Sequence, residues 1–206
     1  MNIGVMGTGM VGDAIASKLV ALGHDVMMGS RESNNPKAVA WAKRLGGRAQ
    51  AGSFEDTARF GELVFNCTNG GNSLEALRAA GEKNLSGKIL IDVANILPPE
   101  ERGPESLGEQ IQKTFPRTKV IKALNTVNCE VMVDASKVGG THSIFMSGND
   151  ADAKKTVHEL LAAFGWKDII DLGDIASARA SENYLSLWLT LWKKVGTAHF
   201  NISVIR

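Results

Sequence analysis

Three glycines near the amino terminus have the spacing of a dinucleotide-binding turn. The segment reads Gly7-Thr8-Gly9-Met10-Val11-Gly12, a G-x-G-x-x-G pattern that lies between an apolar run and a helical pattern. The first glycine permits a tight turn, the second leaves room for a pyrophosphate, and the third allows close helix packing. Free backbone N–H groups at the helix start then face the phosphates. We therefore predict a dinucleotide cofactor bound by residues 7–12.

The end of the second predicted strand favours NADP over NAD. A free ribose 2′-hydroxyl is usually held there by Asp or Glu, but this chain has Ser30 and Arg31, with Glu32 one residue beyond. A hydroxyl and a planar guanidinium both suit a 2′-phosphate. Lys37 is a second candidate cation, or else a solvated lysine at a helix start. We expect NADP(H) as the cofactor.

Three short loops follow predicted strands at the same edge of the sheet. They are Thr68-Asn69-Gly70-Gly71, Ala94-Asn95 and Asn125-Thr126. Ligands of open α/β sheets bind at this edge, where small residues and amides can accommodate a nicotinamide and its carboxamide. The alternative is that these Asn and Gly residues only make turns.

Few groups suit acid–base or nucleophilic catalysis, so no catalytic residue is assigned. Cys67 ends a buried strand and Cys129 has no base near it in the sequence. Neither lies in a zinc-like spacing, and no metal is expected. The histidines are expected to be structural. If the chain reduces a carbonyl or imine, Lys122 and His142 are the first proton donors to test.

Short apolar runs alternate with helical or turn-forming segments. Most are continuously apolar, which is typical of strands buried on both faces of a parallel sheet. We predict a Rossmann-type, doubly wound α/β fold with a mainly parallel sheet and a C-terminal helical extension. The predicted strands are Ile3 to Met6, Val26 to Met28, Leu63 to Cys67, Lys88 to Val93, Lys119 to Leu124, Ile144 to Met146 and Asp168 to Leu172.

Helical spacing predicts four helices and a division of the chain. An NADP-binding domain is expected over 1–175, and a C-terminal helix and tail over 176–206. An apolar stripe of Leu185, Trp188, Leu189 and Trp192 buries either inside the subunit or against a second copy. The helices are predicted between the first two strands, over Ala38 to Leu45, over Ala151 to Phe164 and over Ala176 to Val195.

Composition limits the classes of partner and compartment. The chain has 206 residues, 44% hydrophobic and 22% charged, with a formal net charge of +1. A chain with so little net charge has no overall electrostatic field that would attract nucleic acid or an anionic membrane. The longest apolar stretch is about half of a bilayer span, no secretory signal is seen, and two cysteines make no disulfide scaffold. We expect a cytoplasmic protein that meets neither nucleic acid nor membrane.

With these motifs the chain resembles the NADPH-dependent coenzyme F420 reductases, the F420:NADP oxidoreductases, and the related oxidoreductase domain of the STEAP metalloreductases. The resemblance covers nearly the whole chain and implies a Rossmann fold and a homodimer. It implies NADP contacts at Thr8 to Val11, Ser30 and Arg31, and a nicotinamide among the loops at Asn69, Asn95 and Asn125. It rests on GTGMVGDAIASKLVALGHDVMMGSR, IDVAN, VIKALNTV, SGND, ARASENYLSLWL and the FN tail.

The resemblance implies an NADP-dependent oxidoreductase whose small-molecule acceptor is F420-type or flavin-like. Hydride transfer between stacked rings needs alignment more than a protein acid. Thr68 to Gly71 stands where the deazaflavin reductases have an apolar-Pro-Trp type loop, so F420, a flavin, a ferric chelate and an organic carbonyl all stay open as acceptors. The alternatives are a carbonyl or imine reductase and a non-catalytic NADP-binding regulatory protein.

Overall fold

The computed structural model describes residues 1–101 and 103–206, which contain a single eight-stranded sheet. Its strand order is β3-β2-β1-β4-β5-β6-β7-β8, and neighbouring strands are parallel except for β6 and β7. The predicted Rossmann-type, mainly parallel α/β fold is confirmed. The strands are Asn2–Met6 (β1), Asp25–Ser30 (β2), Ala49–Ser53 (β3), Leu63–Asn66 (β4), Ile89–Asp92 (β5), Lys119–Ala123 (β6), Ser143–Gly148 (β7) and Asp168–Asp171 (β8).

Helices cover both faces of this sheet. The four predicted helices are present with small shifts at their ends, and the last begins two residues late because a 3₁₀ turn at Ile175–Ser177 precedes it. The helices in the described residues are Met10–Ala21 (α1), Pro36–Leu45 (α2), Phe54–Phe60 (α3), Ser73–Ala80 (α4), Glu82–Leu85 (α5), Leu107–Thr114 (α6), Cys129–Val133 (α7), Ala151–Ala163 (α8) and Ala178–Val195 (α9).

Two apolar clusters lie on opposite faces of the sheet. Side chains of α1, α2, α7 and α8 belong to one cluster, and side chains of α3 to α6 and the start of α9 belong to the other. Strand residues alternate between them, so that Ile91 joins the first cluster and Leu90 the second. This burial on both faces explains why the strands are apolar without alternation.

The strand β3 was not predicted, because its sequence AQAGS contains no β-branched or aromatic residue. It pairs with β2 alone and forms one edge of the sheet, so it is stabilised by a single row of hydrogen bonds. Its register beside β2 brings Ser53 next to Ser30. Tertiary pairing here overrides weak local propensity.

The carboxyl ends of β1, β2, β4, β5 and β6 lie at one edge of the sheet. The chain order reverses between β1 and β4, which makes the crevice where ligands of such sheets bind. In the adjacent strands β4, β5 and β6, Asn66, Asp92 and Lys122 occupy one row of the register. The predicted loops are therefore brought together.

The start of α9 and the 3₁₀ turn before it belong to the interior of the same subunit. Ile175 and Ala178 lie in the second apolar cluster, and Glu182 is also buried. Farther along, Leu187, Trp192 and Val195 are 53%, 45% and 55% exposed. Contact of this end with a second copy stays a prediction. Within the described ranges, no helix has both the length and the apolar character that a bilayer span requires.

Candidate active site

The glycine turn between β1 and α1 has the geometry that its spacing predicts. Gly7 has a φ of 120°, and a Cβ there would lie 2.5 Å from the Cys67 carbonyl oxygen. A Cβ on Gly12 would lie 2.1 Å from the Gly7 carbonyl oxygen, so Gly12 allows α1 to pack against the turn. A Cβ on Gly9 would meet nothing within 4 Å. The space above Gly9 is thus open for a phosphate group.

A cleft of about 500 Å³, here called the nucleotide cleft, extends from this turn to the end of β2. It brings together seven of the residues predicted to contact the cofactor. Glu32, one residue beyond Arg31, also lines the cleft, together with Asn35, Phe54 and Glu75, which the sequence did not predict as contacts. The predicted residues in its lining are Gly7, Thr8, Gly9, Ser30, Arg31, Thr68 and Asn69.

At the far end of the nucleotide cleft, Arg31 is exposed and makes no ion pair with the described residues. The Ser30 hydroxyl donates a hydrogen bond of 2.5 Å to the Glu32 carbonyl oxygen, so it also closes the local turn. Lys37 lies in the first turn of α2, outside the lining of the cleft. Of the two predicted cations, the structure places Arg31 in the cleft.

The cleft continues into a second cavity of about 390 Å³, here called the inner chamber. The two cavities share Gly9, Cys67, Thr68 and Asn69. The chamber lining also contains Ala94, Asn95 and Asn125 from the loops predicted near the nicotinamide, and Met10 and Val11 from the glycine motif. The predicted loops therefore surround one continuous groove.

Two amide side chains are locked together on one side of the inner chamber. Asn95 Nδ2 donates to the Asn125 carbonyl oxygen at 2.7 Å, and Asn125 Nδ2 donates to Asn95 Oδ1 at 3.2 Å. Leu124 turns the chain at this point with a φ of 65°, which is strained for a branched residue. Asn125 Oδ1 and Thr126 Oγ1 are buried without a hydrogen-bond partner among the described residues. An amide oxygen that can accept and a hydroxyl that can donate match the hydrogen-bonding groups of a nicotinamide carboxamide.

Gly70 has a packing role. A Cβ there would lie 2.5 Å from the backbone of Asn95, and the Gly70 N–H donates to the Asn95 carbonyl oxygen at 3.1 Å. Gly70 lies outside both lining sets, as do Gly12 and Lys37. Direct contact between Gly70 and a cofactor stays a prediction.

Side chains of α9 form an aromatic wall across the inner chamber. Leu185, Trp188 and Trp192 all line it. The ring centroids of Trp188 and Trp192 are 5.3 Å apart, and Trp188 stacks on Phe200 at 5.5 Å. Helical spacing located this stripe in the sequence, but its contact with the groove depends on how α9 packs.

Among the described residues that line the inner chamber, the ionisable side chains are the two cysteines, Cys67 and Cys129. Burial, helped by the neighbouring Glu130 carboxylate, raises the pKa of the Cys129 thiol, which stays protonated at neutral pH. Burial likewise raises the pKa of Cys67. Neither thiol is therefore activated as a nucleophile.

The two predicted proton donors lie elsewhere. Lys122 is fully buried and its ammonium contacts Asp92, Glu182 and the Ala94 carbonyl oxygen. Burial alone would lower its pKa, but the two carboxylates outweigh this and raise the pKa. His142 lines a separate cavity. Among the described residues, no cluster of His, Cys, Asp or Glu is placed to hold a metal ion.

The fold and the groove together define a dinucleotide-binding protein of the Rossmann class. Residues 2–96 match the family model described as NADP oxidoreductase, coenzyme F420-dependent. A solved structure from Arthrobacter sp. FB24, provisionally described as an F420-dependent NADP reductase, is 44% identical with a TM-score of 0.92 and 99% coverage of both chains. The chain belongs to this family of NADP-dependent oxidoreductases.

Two curated relatives extend the comparison. The F420-dependent NADP reductase of Methanocaldococcus jannaschii is 26% identical over 221 residues, with 96% of both chains covered. The metalloreductase STEAP3 of Rattus norvegicus is 30% identical over 193 residues, which is 93% of this chain and 38% of the relative. The chain thus spans about two fifths of the length of the curated metalloreductases that it matches.

Proposed function

We propose that the chain binds NADP(H) along the groove and transfers a hydride between the nicotinamide and a flavin-like or deazaflavin acceptor. The glycine turn would hold the pyrophosphate and Arg31 the 2′-phosphate. Asn125 and Thr126 would hydrogen-bond the carboxamide. This places the nicotinamide in the inner chamber, where its C4 atom can face the acceptor. The cofactor supplies the hydride, and the chain binds and aligns the two rings.

The chemical character of the inner chamber carries this proposal. The chamber is lined by apolar and neutral polar side chains and is closed on one side by Leu185 and Trp188. A flat apolar acceptor ring fits such a wall, which also excludes water. Hydride transfer between two rings requires their alignment and no proton from a protein acid at the reacting carbon.

Reduction of a carbonyl or imine is less well supported by the same chamber. That reaction needs a proton donor beside the nicotinamide. Lys122 is enclosed by its own partners, and His142 is hydrogen-bonded to the Ala135 carbonyl oxygen and to Asn201, away from the chamber lining. Cys129, whose pKa is raised, is a poor substitute.

We also propose that the functional unit is a homodimer. Leu187, Trp192 and Val195 leave an exposed apolar surface on the last turns of α9. Such a surface is unfavourable in water and is suited to a second copy of the chain. A dimer formed here would cover the outer side of the aromatic wall.

Steady-state oxidation of NADPH tests the proposed reaction. Purified protein is mixed with NADPH and, in turn, with F420, FMN, FAD, a ferric chelate and a panel of carbonyls and imines. The proposal predicts turnover with F420 or a flavin. Turnover with carbonyls or imines alone would favour the carbonyl or imine reductase. Tight NADPH binding without any turnover would favour a regulatory protein.

A further inference from the structure

The buried ammonium of Lys122, in β6, contacts the end of β5, the loop after β5 and the helix α9. Lys122 Nζ lies 2.8 Å from Asp92 Oδ2 and 3.0 Å from Glu182 Oε1, and it also donates to the Ala94 carbonyl oxygen. The three residues that supply these oxygen atoms are each at least 96% buried. An ammonium has three N–H donors, so these acceptors satisfy it completely and set its direction.

Two of these contacts connect Lys122 to the loop after β5. Ala94 and Asn95 of this loop line the inner chamber and are here called its floor. The Ala94 N–H donates to Asp92 Oδ1 at 3.2 Å. The same oxygen accepts a hydrogen bond of 2.8 Å from Asn66 Nδ2, and Asn66 Oδ1 accepts one of 2.7 Å from Thr68 Oγ1. The loops after β4 and β5 are thereby connected to Lys122.

The third contact, to Glu182, connects Lys122 to the helix that carries the aromatic wall. Glu182 lies in α9 and accepts hydrogen bonds from the backbone N–H groups of Leu107, at 2.9 Å, and Gly108, at 3.1 Å. Leu185 and Trp188 follow it at helical spacing and line the chamber. The carboxylate of Glu182 therefore fixes both the rotation of α9 and the position of its wall residues.

We propose that Lys122 and Glu182 are positioning residues that set the distance between the floor of the inner chamber and its aromatic wall. This inference rests on the proposed hydride transfer, since that distance determines how the nicotinamide and acceptor rings meet. A buried ion pair needs close, well-directed partners to offset the cost of removing its charges from water, and removing one partner leaves an uncompensated buried charge. A misplacement of about 1 Å at reacting rings lowers a rate by roughly 100-fold.

The test uses Glu182→Gln, which keeps the size of the side chain and removes its charge. Glu182→Asp keeps the charge and shortens the side chain by one methylene. Leu161→Ala is the control for lost stability, since Leu161 is buried in α8 and lies outside both cavities. Single-turnover hydride transfer is measured with saturating NADPH and F420, or with FMN if F420 is not reduced.

We expect Glu182→Gln to lower the transfer rate at least tenfold and to leave the Kd for NADPH within about threefold. Glu182→Asp is expected to lie between wild type and Glu182→Gln. The control variant is expected to lose thermal stability but transfer hydride within about twofold of wild type. A rate for folded Glu182→Gln within threefold of wild type would overturn the proposal, as would an equal loss in the control.

Hydrogen exchange provides a readout that needs no turnover. In Glu182→Gln, or in Glu182→Asp if the former does not fold, amide exchange is expected to rise in residues 92–97 and 183–192 together, and in neither segment of Leu161→Ala. A rise confined to α9 would overturn the coupling. If no acceptor is reduced by the wild type, the proposed function fails while this measurement still decides the positioning role.

Discussion

At the scale of single residues, preference for NADPH depends on Arg31, which lines the nucleotide cleft without an ion-pair partner in the described ranges. Arg31→Ala is expected to weaken NADPH binding by about 1.5 to 3 kcal/mol, the scale of a charge-assisted hydrogen bond. NADH binding should hardly change, because NADH has no 2′-phosphate. Calorimetric titration with both nucleotides measures this. Lys37→Ala is the matched control and should have little effect on the binding of either nucleotide. Equal losses for NADPH and NADH in Arg31→Ala would contradict the role of Arg31 at the 2′-phosphate.

The glycine turn gives a second pair of matched variants. Gly9→Val should keep the fold and abolish nucleotide binding, because its side chain would fill open space in the cleft. Gly12→Val should instead damage the fold, since a Cβ there would lie 2.1 Å from the Gly7 carbonyl oxygen. Circular dichroism and an NADPH titration separate the two effects. A folded Gly9→Val protein that binds NADPH normally would show that the turn has been misinterpreted.

At the scale of elements, α9 is expected to act on the acceptor rather than on NADPH. Trp188→Ala removes the centre of the aromatic wall and its stacking on Phe200. We expect the KM for the acceptor to rise about tenfold, which corresponds to roughly 1.4 kcal/mol, close to the value of an aromatic contact. The Kd for NADPH should stay within about threefold. Phe60→Ala, which removes a ring from α3 outside both cavities, is the control. A larger effect of Trp188→Ala on NADPH than on the acceptor would count against this role.

The elements also show how far the sequence could be interpreted. The glycine turn and the Ser30-Arg31 end of β2 were predictable because a local backbone pattern determines their place. The helix α6 could have been predicted from its capping box, in which Ser106 and Glu109 are three residues apart. The ion pair between Lys122 and Glu182 joins β6 to α9. Such a pair depends on tertiary packing, which local spacing does not encode, so Lys122 was considered only as a proton donor.

At the scale of the whole molecule, the proposed homodimer can be tested without disturbing the interior. Deletion of 176–206 would remove Ala178 and Glu182 from the buried core and is expected to unfold the chain. The double variant Leu187→Glu with Val195→Glu instead places charges on the exposed end of α9. Sedimentation should give twice the 22.0 kDa chain mass for wild type and a monomer for the variant, with NADPH binding retained. A monomeric wild type would refute the proposal.

Direct hydride transfer from the nicotinamide to a stacked acceptor ring can be followed by isotope labelling. The most direct measurement uses NADPH deuterated at C4, on each face in turn, with F420 as the acceptor and mass spectrometry of the product. Deuterium on a carbon of the reduced deazaflavin does not exchange with water, so its origin is preserved. We expect label from one face to appear in reduced F420 and label from the other face to stay in NADP⁺. Reduced F420 without label from either face, or no reduction of F420 or any flavin by protein that binds NADPH, would contradict it.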